Sequence, residues 1–193
     1  MPIHFDPKTT ALIIIDLQGG ILAMPLQPYS GEQIIANITK TATALKQAGG
    51  TVVAVTVAFA DDLSDLPNQA VDQPMQVPAG GLPAEFSALA PEVVALGAQV
   101  HITKRNWSAF YGTELDLQLR RRGITTLILT GIATNYGVES TVRDAWQHHY
   151  QVLTLEDGCT SLSDEMHSFS ITKVMPRISR ITSTAQVLEV LSA

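Results

Sequence analysis

The chain is short of cysteine, of positive charge and of long apolar runs, and each shortage closes off a class of function. Its one cysteine, Cys159, has no partner within the chain, which excludes an intramolecular disulfide framework. Lys and Arg total 12 against 18 Asp and Glu, for a formal net charge of −6. Neutralising a phosphate backbone takes clustered cations, and the single basic run, Arg120-Arg121-Arg122, reads as a solvated helix end. No nucleic-acid partner is expected. No apolar stretch approaches the roughly 20 residues that cross a bilayer, and no charged-then-apolar leader opens the chain, so cytoplasmic residence without a membrane partner is expected. Histidines number 5 and lack ligand spacing. His148 and His149 are neighbours that point apart on a helix, while His101 and His167 stand alone and read as structural. Asp61, Asp62 and Asp65 do not follow a calcium-loop pattern. Neither a metal nor a cofactor is expected.

What is present describes an ordinary globular chain, 46% hydrophobic and 16% charged, read as one domain over residues 1–193. Apolar, β-branched segments at Leu12–Ile15, Thr51–Val57, Gln99–Ile102, Thr125–Thr130, Gln151–Leu155 and Arg177–Ile181 read as strands. Helical patterns lie between most of them: Glu32–Gln47, a helix opened by Thr113 and Glu114 and stopped by Gly123, Val138–His149, Asp164–Lys173 and Ala185–Leu191. Strand–helix alternation over this length means an α/β protein with a mostly parallel sheet covered by helices on both faces. Residues 58–97 break the rhythm with Pro67, Pro74, Pro78, Pro83 and Pro91 around Gly80-Gly81, and one short helix is expected near Ala84–Leu89. A segment this long leaving a strand end is a lid or an interface segment.

Three pieces carry chemistry. Ala11–Ile15 is a continuous apolar run of the kind covered on both faces of a parallel sheet, and Asp16 follows it directly. Such strand ends are where open α/β sheets build ligand crevices. Lys104 ends another short strand, in Thr-Lys-Arg-Asn-Trp-Ser-Ala-Phe, and a lysine there needs an anion unless it snorkels to the surface beside Arg105. The third piece is Gly131-Ile-Ala-Thr-Asn-Tyr-Gly-Val-Glu-Ser-Thr141, a strand, a tight turn and a helix start, where backbone N–H groups and the helix dipole suit an anion.

In that order, with Ser108-Ala109-Phe110 and Thr113 after the lysine, these pieces resemble the isochorismatase-like family of cysteine hydrolases from about Thr10 to the last helix. The resemblance implies a three-layer α/β/α Rossmann-like fold with six strands in order 3-2-1-4-5-6. That order would bring Asp16 and Lys104 to one rim. It also implies a cis peptide at Ile132-Ala133 and an oxyanion hole in the turn. Where most of the family carries its nucleophilic cysteine, this chain has Gly137, so covalent catalysis from that position is excluded.

The implied activity is that of a small-molecule hydrolase. True isochorismatases are the members that work with glycine or another non-nucleophile here, cleaving a vinyl ether to pyruvate and a dihydroxy cyclohexadiene acid. Protonation of the methylene carbon needs a general acid and charge stabilisation but no thiol. Asp16 would be the acid, Lys104 its positioner, and Gly137 the room for substrate or water. Gln18, Phe110, Ile132, Ala133 and Tyr136 complete the expected substrate-binding set, with Trp107 either a pocket wall or a core residue. Cys159, in a loop after another strand, reads as packing. The expected assembly is a homo-oligomer, a dimer or tetramer. Two alternatives stay open: a catalytically silent relative kept for ligand binding or assembly, and an amidase in which Asp16 activates water.

Overall fold

A computed structural model describes residues 3–192. Six parallel strands form one sheet in the order β3-β2-β1-β4-β5-β6. They are β1 (Thr10–Ile15), β2 (Thr51–Val57), β3 (Val100–Lys104), β4 (Thr126–Ile132), β5 (Gln151–Thr160) and β6 (Arg180–Thr182). The helices are α1 (Gly19–Leu22), α2 (Gly31–Gln47), α3 (Pro91–Ala95), α4 (Leu115–Arg121), α5 (Glu139–Gln147), α6 (Asp164–Phe169) and α7 (Thr184–Leu191).

Central position explains the sequence of β1. Every residue of it is buried, because alternate side chains feed two separate cores. Ala11, Ile13 and Ile15 meet Leu115, Leu119 and Val142 of α4 and α5. Leu12 and Ile14 meet Ile34, Ile38 and Leu45 of α2, with Val93 of α3 and Val187 of α7. Ser30 and Gln33 form a reciprocal cap at the start of α2, each side chain bonded to the other's backbone N–H.

Three expectations are corrected. The helix sought near Ala84–Leu89 is a run of turns, and the helix of this segment is α3, where Pro91 occupies a first-turn position suited to its missing N–H. Strand β5 runs on to Thr160, past the polar Glu156-Asp157-Gly158 that hid it, because a register shift between Leu129 and Gly131 lets β4 pair with Cys159 and Thr160. The Asp164–Lys173 helix is regular only to Phe169; a π turn, Ser170–Val174, and a 3-10 turn, Met175–Arg177, then delay β6 to Arg180.

Candidate active site

Asp16 is the first residue beyond β1. Its backbone takes a left-handed conformation, φ 55°, while its N–H donates to the Val55 carbonyl of β2 at 3.0 Å. That bend sends the carboxylate over the carboxyl end of the sheet. Lys104, the last residue of β3, reaches across the end of β2, and its Nζ lies 2.7 Å from Asp16 Oδ2. The ammonium also donates to the Asn106 carbonyl, 3.1 Å away. The two side chains are 2% and 7% exposed, for Lys104 and Asp16 respectively, so this is a buried ion pair and not a surface contact. Snorkelling is ruled out for Lys104.

The third piece arrives from β4. At Gly131, φ is 121° and a Cβ would run into the Ile15 carbonyl, so only glycine lets β4 lie this close to the end of β1. The Ile132–Ala133 peptide is cis. The Ala133 carbonyl then accepts from the N–H groups of Tyr136 and Val138, at 3.1 and 3.2 Å, and winds the chain through a π turn, Thr134–Val138, into α5. Gly137 comes to rest against the acid: a Cβ built there would lie 3.4 Å from Asp16 Oδ2, from Ile15 Cγ2 and from the Trp107 carbonyl oxygen. Thr141 holds the Gly137 carbonyl at 2.7 Å and takes the Ala109 N–H at 3.0 Å, which ties the segment after β3 to α5.

Burial pushes the Asp16 carboxyl up to about 6, against the pull of the Lys104 charge and hydrogen bond. The Val57 N–H gives a smaller downward pull, although its own hydrogen bond goes to Gln18 at 2.9 Å. Asp16 Oδ1 is buried with no hydrogen-bond partner on the protein. A carboxyl with one oxygen on an ammonium and the other unpartnered, titrating close to neutrality, can give a proton as well as take one.

The family model for the isochorismatase domain matches residues 10–186. The chain belongs to the isochorismatase family. It is 40% identical over 189 residues to the uncharacterized isochorismatase family protein YecD of Escherichia coli O157:H7, covering 98% of this chain and 100% of that one. It is 42% identical over 187 residues to the uncharacterized isochorismatase family protein YwoC of Bacillus subtilis, covering 97% and 96%. Among solved structures, an isochorismatase family protein from Burkholderia thailandensis superposes with a TM-score of 0.89 at 39% identity, covering 96% of this chain and 97% of its own. The sheet order and the hydrolase-type fold are those of the family.

The residues expected to line a substrate pocket differ in their surroundings. Ile132 is buried at the end of β4, Ala133 is half-buried, and Tyr136 is half-buried with its ring 4.9 Å from that of Trp107. Trp107 is 62% exposed, which removes it from the core. Phe110 is a correction: its ring stacks on His148 at 5.1 Å and lies 5.9 Å from Tyr150, inside the core beneath α5. Gln18 is another. Fully buried, it donates to the Val57 and Phe86 carbonyls at 2.9 and 2.8 Å and accepts from the Val57 N–H, so its amide staples the 58–97 segment to the sheet. Cys159 is fully buried, with its thiol pushed far up by desolvation and its Sγ 3.8 Å from the Leu129 carbonyl.

His167, expected to be a structural histidine standing alone, is buried and has polar partners. It lies on the buried side of α6, 2.8 Å from the Thr134 hydroxyl in the turn and 3.3 Å from Glu156. A polar residue at the same spacing as the buried Ser170 and Ile171 was the available clue. Among the described residues, no group of three or more His, Cys, Asp or Glu is gathered to hold a metal ion, and no helix is long and apolar enough to cross a membrane.

Proposed function

We propose that this isochorismatase-family chain is a small-molecule hydrolase that works without a nucleophilic cysteine, opening a vinyl ether by proton transfer from Asp16. The observation that carries the reading is the buried Asp16 carboxyl, raised to about 6 beside the empty Cβ position of Gly137. Asp16 in its acid form gives its proton to the methylene carbon of the enol ether, and the resulting oxocarbenium is captured by water. The carboxylate left on Asp16 is held by Lys104, takes a proton from that water, and so regains its starting form. The hemiketal then collapses to a ketone and an alcohol. Backbone N–H groups of the 132–138 turn serve as donors to the substrate's anionic end. Isochorismate is the candidate substrate. A dimer or tetramer acting on a small molecule in the cytoplasm completes the proposal.

The amidase alternative uses the same residues in the opposite protonation state, since Asp16 must be ionised to activate water. The two separate on pH: an acid-driven reaction loses about ten-fold per pH unit above the Asp16 pKa, and a base-driven one gains as pH rises to it. The buried Asp16–Lys104 pair weighs against a silent relative, because desolvating two charges can cost more than their attraction returns and a pure scaffold gains nothing from it. The deciding experiment is a panel of vinyl ethers and amides given to the purified protein, with Asp16→Ala as control. Pyruvate released from a vinyl ether, and lost in the control, supports the proposal. A panel without turnover, or turnover that survives Asp16→Ala, defeats it.

A further inference from the structure

Behind the turn that presents Gly137 runs a partly buried chain of polar groups that the proposed reaction does not use. Thr134 Oγ1 lies 2.8 Å from His167 Nδ1, and His167 Nε2 lies 3.3 Å from Glu156 Oε1. The Tyr29 hydroxyl donates to the same Glu156 oxygen at 2.7 Å, and its ring meets that of His167 edge-on at 5.9 Å. The chain thus links the π turn, α6, β5 and the segment before α2. Thr134 is 0% exposed and His167 3%.

The donor and acceptor roles follow from the ends of the chain. The His167 hydrogen bond, ahead of the Tyr29 one, holds the Glu156 carboxyl below its usual range, so it is an anion with only lone pairs to offer. Tyr29 is pushed up to about 12 by that same carboxylate and stays a donor. An Nε2–H facing the Glu156 anion leaves Nδ1 as an acceptor for the Thr134 hydroxyl.

Hydroxyl, imidazole and carboxylate in series have the composition of a nucleophilic triad. Here the hydroxyl has no exposed surface from which to attack. What it does have is a place in the turn, one residue after Ala133, whose carbonyl organises the turn, and three before Gly137. We infer that Thr134, His167 and Glu156 are positioning residues, holding the 132–138 turn so that its backbone donors and the Gly137 gap face Asp16. Other braces act on the neighbours: Ser161 Oγ donates to Asn135 Oδ1 at 2.5 Å, and Thr141 holds the Gly137 carbonyl. Thr134 is the brace that passes through three further side chains to reach β5 and the Tyr29 loop.

The inference rests on the proposed reaction only for its kinetic readout, and a second readout is independent of any substrate. Thr134→Val keeps the shape of the side chain and removes the hydroxyl; Thr134→Ser keeps the hydroxyl. Both are made in the natural chain and in a Gly137→Cys background, and each is checked by a cooperative thermal melt. With a substrate in hand, Thr134→Val lowers kcat about ten-fold, the scale of one broken buried hydrogen bond, with KM within about two-fold, and Thr134→Ser stays near the parent. In the Gly137→Cys background, Thr134→Val slows iodoacetamide alkylation of the introduced thiol by about three-fold, because that thiol's reactivity depends on its alignment with the helix start. Thr134→Ser leaves the alkylation rate unchanged. An unaltered rate in a folded Thr134→Val protein overturns the inference, as does a serine variant as impaired as the valine one. Covalent labelling of Thr134 by a hydroxyl-directed fluorophosphonate would make it a nucleophile and overturn the positioning role.

Discussion

Two carboxylates stand on either side of the Thr134–Val138 turn, and their surroundings push them in opposite directions. Asp16 is almost wholly enclosed, has one cation on one oxygen and nothing on the other, and is raised to about 6. Glu156 is more open, receives His167 and Tyr29 on one oxygen, and is lowered. Desolvation dominates the first and hydrogen bonding the second. Two carboxyl groups flanking one turn are thereby set to different states: one is poised to change its protonation, the other is kept charged as an anchor.

The comparison breaks most sharply at Asp16. Asp16→Asn removes the transferable proton, and turnover on a true substrate should fall about a hundred- to ten-thousand-fold while the melt stays cooperative. Activity retained within a few-fold would take Asp16 out of the mechanism. Lys104→Met removes the charge and hydrogen bond that hold Asp16 down, so the carboxyl should rise further. In the proposed reaction the acid form is the active one, so the alkaline fall in kcat/KM, near pH 6 in the parent, should move to higher pH alongside an overall loss of rate. A limb that does not move would mean that the pair is not coupled in solution.

Glu156→Gln sharpens the contrast through stability. The folded pKa of Glu156 lies below its unfolded value, so its contribution is present above about pH 4.5 and is lost as pH falls through the folded value. Asp16 has the opposite sign: its raised pKa favours the fold at low pH, and that advantage fades as pH climbs from about 4 to about 6. Melts of Glu156→Gln between pH 3 and 7 should show a flatter acid side than the parent, while the alkaline limb of kcat/KM stays where it was. A limb displaced by Glu156→Gln would merge the two carboxylates into one titrating unit. The smallest effect belongs to Cys159→Ser, which should leave catalysis unchanged and cost only packing, since the thiol is fully buried and turned toward Leu129. Substrate-protectable alkylation of Cys159 would reopen covalent chemistry.

The parts of this site that were readable in the sequence are those fixed by a strand end. An apolar run buried on both faces has to stop somewhere, and Asp16 marks where β1 does; Lys104 instead closes the edge strand β3, whose burial alternates, and β2 was legible to its last residue from its β-branched run. Contacts made by a turn against a distant element leave no periodic trace. Thr134 and His167 are 33 positions apart, and Glu156 lies on a stretch of β5 that looks like a loop because its side chains answer to Tyr29 and His167 and not to a core. Phe110 and Gln18 enter the expected pocket through the family resemblance, Phe110 by its Ser-Ala-Phe pattern after Lys104 and Gln18 by its place just after Asp16. The bends that follow β3 and β1 turn one into the core and spend the other's whole amide on backbone groups.

The staple at Gln18 divides the 58–97 segment into two parts that will respond differently to engineering. Residues 86–90 run against the Leu17–Gly20 turn through backbone bonds between Gly19 and Ala88, Gly20 and Phe86, and Ala90 and Leu17, and a side chain at Gly20 would strike the Phe86 ring. Residues 66–82 carry mostly exposed side chains and no regular structure. A loop graft from a relative therefore has its natural junctions before Leu66 and after Leu82. Length and composition can change freely between those points, and a cut at residue 86 would unfasten the floor on which Asp16 stands.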